Sequence, residues 1–402
     1  MGVKKINGGV EGFNNKFVRA RGGDSTGTDA KNAAGGPSGS ATGGTKTTPG
    51  DGYHYHTFLA TVPGAPYTKS PKSSETLVIS GGSLECDYLI VGGGGAGGHC
   101  NTSNSGSGGG GAGAVYYATG VTLPAATYPV TVGGGGQNST AVSPTPADAQ
   151  GDASVFNSIT AAGGGRGGRS KTPQPVADGI AGGCGGGGGG RSPGGPTNGG
   201  GGAGGPSTGA GSHPGSSNVN AVSPPVGWGY DGAAGSLDPC NCGSGGGGGG
   251  IGGAPLATIG VHVPGGSPAY GISGEGGIGA KYTIDGATVN IGGGGQGGAY
   301  GANGNNTTPP AHPFGGGVQD SRDWPAPMRI YPAPTVNIKF GGLDGSGGGG
   351  AGGSNNSNGP NVISGAPVSA PPSNDPWYPT PRSGNTASGR GGCGLVQIRY
   401  PV

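Results

Sequence analysis

Glycine occupies 109 and proline 36 of the 402 positions, whereas only 30% of the residues are hydrophobic and 9% are charged. Ordinary helices and strands avoid glycine and proline, so this composition argues against an enzyme of ordinary helix and sheet content. The formal net charge is only +2, whereas most disordered chains carry a high net charge that keeps them solvated. We therefore expect an ordered chain that is organised by something other than side-chain packing.

Several protein classes are excluded by where particular residues fall. The glycines come in blocks rather than at every third position, which excludes collagen. No stretch approaches the roughly 20 apolar residues of a membrane span, and residues 1–9 lack the apolar core of a secretory signal. We expect synthesis in a cytosol without membrane insertion. The six cysteines are too sparse for a disulfide scaffold, so mostly free thiols are expected.

Residues 1–49 form a basic N-terminal arm, with seven lysines and arginines against three acidic residues. No interleaved aromatic residues and no known binding motif accompany this charge, so we do not expect a nucleic-acid partner. The arm is expected to dock on a neighbouring protein or to lie on the surface.

Residues 50–160 contain short runs of β-type residues with a period of two, which predict a small antiparallel β unit. The last run of the chain, Leu395–Tyr400, has the same character. We expect this run to return and pair with a strand from the first 135 residues, with Cys86–Val91 as the favoured partner, so that 391–402 completes the unit. The other predicted strands are Tyr53–Ala60, Thr76–Ile79, Val115–Tyr117, Thr127–Val132 and Ser154–Phe156.

Residues 161–390 are predicted to be an insertion built around a recurring glycine block. The pattern Gly-Gly-Gly-Gly-x-Gly-Gly begins at Gly92, Gly199, Gly247, Gly292 and Gly347. The last four starts lie about 50 residues apart, a spacing that suggests an array of stacked units. Segments rich in proline, serine, asparagine and threonine separate the blocks, and they hold all three tryptophans.

A glycine block can be ordered by hydrogen bonds to other blocks. Polyproline-II backbone has three residues per turn and no internal hydrogen bonds, so its N–H and C=O groups need outside partners. Neighbouring backbones can supply them if they approach closely, which only residues without a Cβ allow at every position. The predicted fold class is therefore all-β plus polyglycine-II, a small antiparallel β unit with an inserted bundle of polyglycine-II helices and long loops. The alternative is a set of flexible Gly/Ser linkers.

Four motifs in order resemble a known family. They are Asp51-Gly-Tyr-His-Tyr-His-Thr-Phe, Asp87-Tyr-Leu-Ile-Val followed by a glycine block, Tyr128-Pro-Val-Thr-Val followed by another, and the closing Gly391-Gly-Cys-Gly-Leu-Val-Gln-Ile-Arg-Tyr-Pro. Together they resemble the glycine-rich-domain virion and tail-fibre proteins of tailed bacteriophages, which are common in phages of marine cyanobacteria. The resemblance covers about residues 44–402. It implies a polyglycine-II sandwich on the virion surface, with distal loops that bind a host receptor and other virion proteins as partners, and a homotrimer is one candidate assembly.

Three motifs that suggest chemistry have simpler interpretations. Gly92-x-Gly94-x-x-Gly97 matches a dinucleotide fingerprint, but the residues after it cannot form the required helix. His54-x-His56 places two imidazoles on one strand face, which could bind a metal in a trimer but is more typical of an ordinary strand. Cys240-Asn-Cys242 lacks a second ligand pair at zinc spacing. We expect no cofactor, no metal and no enzymatic activity.

Two functions remain open for this chain. The first is a tail fibre or receptor-binding adhesin that contacts a host surface glycan or outer-membrane protein. The second is a purely structural protein, such as a head decoration, with no specific receptor. Aromatic residues in the inter-block loops favour the first, because exposed aromatic rings often mark binding surfaces; the alternative is that each ring packs against the side of the bundle. The candidate receptor-binding residues are Trp228, Tyr230, Trp324, Tyr331, Trp377 and Tyr378.

Overall fold

The structure is a computed structural model whose described residues contain β-strands and extended glycine-rich segments. The described residues are 39–60, 69, 71–100, 106–137, 148–170, 177–190, 229–235, 244–255, 260–261, 270–271, 274–284, 287–298, 342, 345–352 and 388–402. Within these ranges there is no helix. This agrees with the predicted all-β character.

The strands form two five-stranded antiparallel sheets and two small hairpins. Sheet 1 has the order β1-β4-β7-β8-β9 and sheet 2 the order β2-β3-β14-β5-β6, while β10 pairs with β11 and β12 with β13. The strands are β1 (Ser40–Thr42), β2 (Thr45–Thr47), β3 (Tyr53–Leu59), β4 (Ser73–Ser80), β5 (Leu84–Val91), β6 (Val115–Leu123), β7 (Thr127–Val132), β8 (Ser154–Phe156), β9 (Ile159–Ala161), β10 (Gly260–Val261), β11 (Tyr270–Gly271), β12 (Ala280–Ile284), β13 (Ala287–Ile291) and β14 (Leu395–Pro401).

The predicted return of the C-terminal run is confirmed. Strand β14 pairs with β5, with Leu395 opposite Val91, and on its other side it pairs with β3, with Leu395 opposite Leu59. The last strand of the chain therefore lies in the middle of sheet 2. All the other predicted strands are present, as β3 to β8, whereas the short strands β1, β2 and β9 and the hairpin strands β10 to β13 were not predicted. Both β1 and β2 fall within the predicted N-terminal arm.

The hydrophobic core lies between the two sheets. Alternate side chains of sheet 1, including Leu77 and Phe156, pack against those of sheet 2, including Phe58, Ile90 and Ile398, and each of these is at most 1% exposed. This is the arrangement that a period of two in hydrophobicity produces, since successive side chains point to opposite faces of a sheet. Among the described residues, this is the larger of the two clusters of buried apolar side chains.

The glycine-rich segments between the strands are joined side by side by backbone hydrogen bonds, as predicted. We call these segments together the glycine lattice. They are 92–98, 108–114, 133–137, 148–152, 162–170, 177–180, 183–190, 229–235, 245–252, 274–278, 292–298, 347–352 and 389–394. Hydrogen bonds also join the predicted β unit, 50–160, to the predicted insertion, 161–390, because backbone N–H groups of 108–114 donate to carbonyl groups of 162–168. The domain boundaries after residues 49, 160 and 390 remain predictions.

The direction of these hydrogen bonds repeats every third residue. In segment 92–98, the N–H groups of Gly92, Gly95 and Gly98 all donate to one neighbour, with N···O distances of 2.9, 2.9 and 2.8 Å. The N–H groups of the residues between them donate to two other neighbours in turn. The three accepting segments are 108–114, 149–152 and 389–392. Backbone groups of one segment therefore point in three directions, so that a segment is surrounded rather than paired on two edges.

The strands run into the lattice without a change of register. Val91 on β5 lies opposite Val115 on β6, and the next bond, from the Gly92 N–H to the Ala114 carbonyl, keeps the same pairing. The pairing of β14 with β5 continues in the same way, with the Gly94 N–H donating to the Gly392 carbonyl at 2.8 Å. Because a glycine block has no side chains to define its alignment, the apolar strands set the register of the blocks that follow them.

A buried histidine joins the edge of sheet 1 to sheet 2. The His56 ring is 0% exposed; its Nδ1 lies 2.7 Å from the Gly43 carbonyl oxygen and its Nε2 lies 3.4 Å from the Tyr400 hydroxyl. That hydroxyl also accepts from the Ala41 N–H at 3.3 Å. Burial lowers the pKa of His56, the positive charge of Lys46 and neighbouring His54 lower it further, and the bond to Gly43 opposes them. The neutral ring is therefore the form that suits the folded protein.

Stability is expected to fall in mild acid because of His56. The pKa of His56 in the folded protein lies below the ordinary value of 6.5, so below that pH the unfolded chain binds more protons than the folded one. The contribution of His56 to the free energy of unfolding is therefore complete above pH 6.5 and decreases as the pH falls. The decrease is at most about 1.4 kcal/mol per pH unit for one proton. Urea unfolding at pH 7.5, 6.5 and 5.5 measures the effect. His56→Gln should flatten the dependence, whereas His54→Gln, at a more exposed position, should keep most of it. Equal pH dependence in His56→Gln and the parent would contradict this role.

Candidate binding surface

The glycine lattice has one end against the sheets and an opposite end, which we call the distal end. Segments 92–98, 133–137 and 162–170 follow strands β5, β7 and β9 directly, whereas 108–114 and 389–394 precede β6 and β14. Their hydrogen-bond register therefore places residues such as Gly92, Ala114 and Ala162 beside the sheets. Gly98, Gly108 and Gly168 lie at the distal end, where they bond to one another at 2.8 and 2.9 Å.

A small apolar cluster anchors the lattice on sheet 2. Side chains from strands β5, β6, β13 and β14 pack against three side chains of the lattice, those of Ala112, Cys184 and Ile251. Ile251 occupies the x position of one glycine block and is 0% exposed. The remaining members of the cluster are Leu89, Val91, Val115, Ile291 and Leu395. Apolar side-chain packing thus joins the sheet end of the lattice to the strands.

The distal end holds described residues that flank several inter-block segments. Gln137 and Asp148, on either side of 138–147, are joined by a bond from the Gln137 N–H to the Asp148 carbonyl at 2.8 Å, and the Ser170 N–H, before 171–176, donates to the carbonyl of His99, before 101–105, at 3.3 Å. Residues on both sides of several intervening segments lie at this end by the same register. The intervening segments are 101–105, 138–147, 171–176, 236–243 and 353–387. The distal end is therefore where the lattice connects to most of its inter-block segments.

Of the six predicted receptor-binding residues, Tyr230 is the one that the structure describes. Its N–H donates to the Gly250 carbonyl at 3.2 Å, its carbonyl accepts from the Gly185 N–H at 3.1 Å, and its side chain is half-buried. Since Gly250 precedes the anchoring Ile251, Tyr230 lies near the sheet end rather than at the distal end. The predicted residues outside the described ranges are Trp228, Trp324, Tyr331, Trp377 and Tyr378.

Three described residues that flank the segments with Trp324, Tyr331, Trp377 and Tyr378 lie at the distal end, whereas Gly229, which follows Trp228, lies near the sheet end beside Gly183. Gly352 donates to the Gln296 carbonyl at 2.8 Å and Gly389 donates to the Ala351 carbonyl at 2.8 Å, so the segment containing Trp377 and Tyr378 begins and ends there. Gly298, which precedes the segment containing Trp324 and Tyr331, donates to Ser107 at 2.7 Å at the same end. The structure thus separates Tyr230 from these flanks.

Segment 229–235 carries a sequence signal for the outer surface of the lattice that was not recognised from the sequence. In segment 229–235, glycine stands at every third position, and a Cβ on Gly229, Gly232 or Gly235 would collide with a carbonyl oxygen of segment 183–190. Asp231 and Ala234, by contrast, are exposed. A segment at the surface of the lattice therefore needs glycine only where it faces inward. Side chains at a three-residue spacing mark the outward face of segment 229–235.

A polar and aromatic cluster on sheet 2 offers no open site. Arg399 Nε donates to Asp87 Oδ2 at 2.9 Å, and its guanidinium lies 4.8 Å from the centre of the Tyr53 ring. Tyr55 donates to Asp51 Oδ2 at 2.5 Å, and burial, reinforced by this bond, raises the pKa of Tyr55 to about 12. The charges in this cluster are already paired with each other, which indicates a structural role.

The motifs that suggested chemistry occupy structural positions. Gly92, Gly94 and Gly97 belong to the lattice, and no helix follows them in the described residues. Among the described residues, no three histidine, cysteine or acidic side chains are grouped as metal ligands. Cys86, Cys100, Cys184 and Cys393 are buried free thiols, and burial raises the pKa of Cys184 to about 12, which disfavours the reactive thiolate. Cys240 and Cys242 lie outside the described residues.

Comparison with known proteins gave one match. A family model described as a glycine-rich domain matches residues 68–309, more than half of the chain. This chain belongs to the glycine-rich domain family. The matched part of the glycine-rich domain begins before β4 and includes most of the lattice segments, whereas β14 lies beyond it. The search of curated proteins and the search of solved structures gave no match. In the part of the chain that the structure describes, no helix is long and apolar enough to cross a membrane.

Proposed function

We propose that this protein is a bacteriophage virion surface protein, a tail fibre or receptor-binding adhesin, whose glycine lattice presents loops to the host cell surface. The observation that carries the proposal is the position of the described residues that flank the inter-block segments. Residues flanking five of them, together with Gly298, lie at the distal end, opposite the sheets. A recognition surface needs variable segments gathered on a rigid support.

In this proposal the lattice segments are polyglycine-II helices. The three-residue repeat of hydrogen-bond direction in segment 92–98 equals the number of residues in one turn of polyproline II. Among the described glycines of the lattice, Gly292 and Gly347 alone have positive φ, so the others are compatible with this backbone. Such a lattice obtains its rigidity from backbone contacts, and loops can therefore differ in length and composition without disturbing a side-chain core.

The proposed ligand is a host surface glycan or an outer-membrane protein. Sugars present apolar C–H faces that stack on Trp and Tyr rings, and Asn and Ser side chains match their hydroxyl groups. Segments 299–341 and 353–387 contain all of these residue types. Weak binding by one molecule would be strengthened by the many copies on a virion. The N-terminal arm is proposed to dock on another virion protein, and the role is one of binding without catalysis.

Replacing Trp228, Trp324 and Trp377 by Ala should weaken adsorption of the purified protein to host cells. Each lost aromatic contact is worth about 0.5–1.5 kcal/mol, so the triple variant should bind at least roughly tenfold more weakly. Adsorption is measured with fluorescently labelled protein on a panel of cyanobacterial strains, with circular dichroism as the check on folding.

The matched control is the triple Trp→Phe variant, which keeps an aromatic face at each position and should retain most of the adsorption. If the Ala variant folds and adsorbs like the parent, the aromatic residues do not bind the receptor. The purely structural virion role would then be the better account.

A further inference from the structure

We propose that a groove on the side of the glycine lattice binds an extended strand of a partner protein with the repeating sequence x-Gly-Gly. The floor of the groove is segment 183–190, and its two walls are segments 177–180 and 229–235. The binding groups belong to the backbone. This inference goes beyond the proposed function and does not depend on it, because it rests on the contacts between lattice segments alone.

A buried carbonyl group lies between the two walls. The N–H of Gly186 donates to the first wall at 3.0 Å, and the N–H of Gly185 donates to the second at 3.1 Å. A Cβ on either Gly179 or Gly232, one in each wall, would collide with the carbonyl oxygen of Gly186. Among the described residues, no group donates to this oxygen, and the N–H groups of Gly179 and Gly232 have no acceptor. Buried backbone groups are nearly always paired in native proteins.

The same arrangement occurs inside the lattice with a strand in place. The carbonyl of Gly110 lies between Gly248 and Gly349, since a Cβ on either would collide with its oxygen. The N–H of Gly295 donates to that carbonyl at 2.8 Å. Gly248 and Gly349 in turn donate to carbonyl groups of segment 292–298, each at 2.9 Å. One acceptor and two donors thus hold this strand.

A second strand is held in the same way near the edge of the lattice. The carbonyl of Gly348 lies between Gly94 and Gly342, by the same test of an added Cβ. It accepts from the N–H of Gly392 at 2.8 Å, while Gly94 and Gly342 donate to segment 389–394 at 2.8 Å each. In both cases the two flanking glycines direct their N–H groups at the strand that the carbonyl faces.

The groove therefore matches a lattice position that no described strand fills. Gly186 supplies the acceptor, and Gly179 and Gly232 supply the two donors. In each filled position, the strand donates one N–H and accepts through two carbonyl groups that lie two residues apart in sequence. An extended peptide backbone presents this set of groups, whereas a proline at the donating position would lack the N–H.

The filled positions also indicate the sequence that the partner strand needs. A Cβ on the donating Gly295 would collide with the carbonyl of Gly350, and a Cβ on Gly294 before it would collide with the carbonyl of Gly248. The residue two places before the donor can carry a side chain, since Arg390 stands there in the second strand. Two of every three residues in the partner strand must therefore be glycine, which gives the repeat x-Gly-Gly.

A peptide of four Ser-Gly-Gly repeats, blocked at both ends, tests the proposal when it is titrated into the ¹⁵N-labelled full-length protein. The amide resonances of Gly179 and Gly232 should shift saturably. Those of Gly248 and Gly349, which already donate within the lattice, should not move.

Two matched peptides define the contacts. Four Ser-Ala-Gly repeats should not bind, because every alignment places a Cβ against a wall of the groove. The Ser-Gly-Gly peptide with an N-methyl group on the second glycine of each repeat lacks the N–H for Gly186. It should bind at least about fivefold more weakly, the usual effect of losing one hydrogen bond.

Three results would overturn the proposal. The site is absent if the Ser-Gly-Gly peptide leaves the amides of Gly179 and Gly232 unshifted, or if the Ser-Ala-Gly peptide shifts them equally. Shifts of these amides on raising the protein concentration alone would show that a second copy fills the groove, against the assignment to a different protein. Shifts caused by neutral dextran, but not by the peptide, would assign the groove to a carbohydrate.

Discussion

Removal of residues 391–402 is expected to abolish the native fold and to leave soluble aggregates. Strand β14 lies between β3 and β5, so its loss splits sheet 2 and exposes two strand edges that were paired along their length. Val396, Ile398 and Tyr400 are buried in the core between the sheets. Each such side chain contributes about 1.5–3 kcal/mol, and their sum is comparable with the roughly 5–15 kcal/mol that stabilises a whole domain.

The truncation also removes bonds that hold the lattice. Gly391 donates to Gly136, Gly392 to Gly348 and Gly394 to Gly133, with N···O distances of 2.9, 2.8 and 2.9 Å. Size-exclusion chromatography with light scattering and limited proteolysis measure the outcome. Deletion of Val402 alone, which is 74% exposed, is the control and should leave a monomer of parental resistance. A protein lacking 391–402 that is equally monomeric and protease-resistant would contradict the closed architecture.

The substitution Gly248→Ala is expected to destabilise the protein by about 3 kcal/mol, well above the roughly 1 kcal/mol that is usual for a backbone effect of alanine for glycine. A Cβ on Gly248 would overlap the carbonyl oxygen of Gly110. That oxygen belongs to the backbone of a neighbouring lattice segment and cannot move aside as a flexible side chain could. The two segments would have to separate, which would break the hydrogen bonds on both sides of them.

Gly253→Ala is the matched control for this substitution. Its Cβ would lie 3.4 Å from the Cβ of Ile278, an ordinary contact with a side chain. The variant should remain within about 0.5 kcal/mol of the parent. Thermal or urea unfolding of the two variants measures the difference. Equal melting temperatures for Gly248→Ala and the parent would count against a lattice of closely packed backbones.

The pattern of apolar residues determined the strands of the two sheets. The period of two in Cys86–Val91 and Leu395–Tyr400 predicted strands that the structure contains, and the pairing of these two runs was predicted as well. Local patterns predict strands well when one face of each strand must be buried. The strands β1, β2, β9, β10 and β11 were missed, because two or three residues are too few to show a period. The five-residue strands β12 and β13 were missed because they fall in the region that was predicted to be a polyglycine-II insertion.

The glycine blocks predicted that backbones pack against one another, because a pure glycine run has no other means of being ordered. A second signal, glycine at every third position of 229–235 with exposed side chains between, was present in the sequence and identifies the outward face of that segment. Its meaning depends on which neighbours surround each segment. The candidate site was accordingly predicted only in outline, and Tyr230 lies near the sheet end rather than at the distal end.

Composition and local periodicity thus determined by themselves that the chain is β-rich, that its glycines associate through their backbones and that its last strand returns to an early one. The neighbours of each glycine segment were decided only in the tertiary structure. Glycine carries no side chain that could distinguish one neighbour from another, so a block has no register of its own. The register comes from the strand to which each block is joined, as in the continuation of Val91 opposite Val115 into Gly92 opposite Ala114, and the same constraint brings the distal ends together.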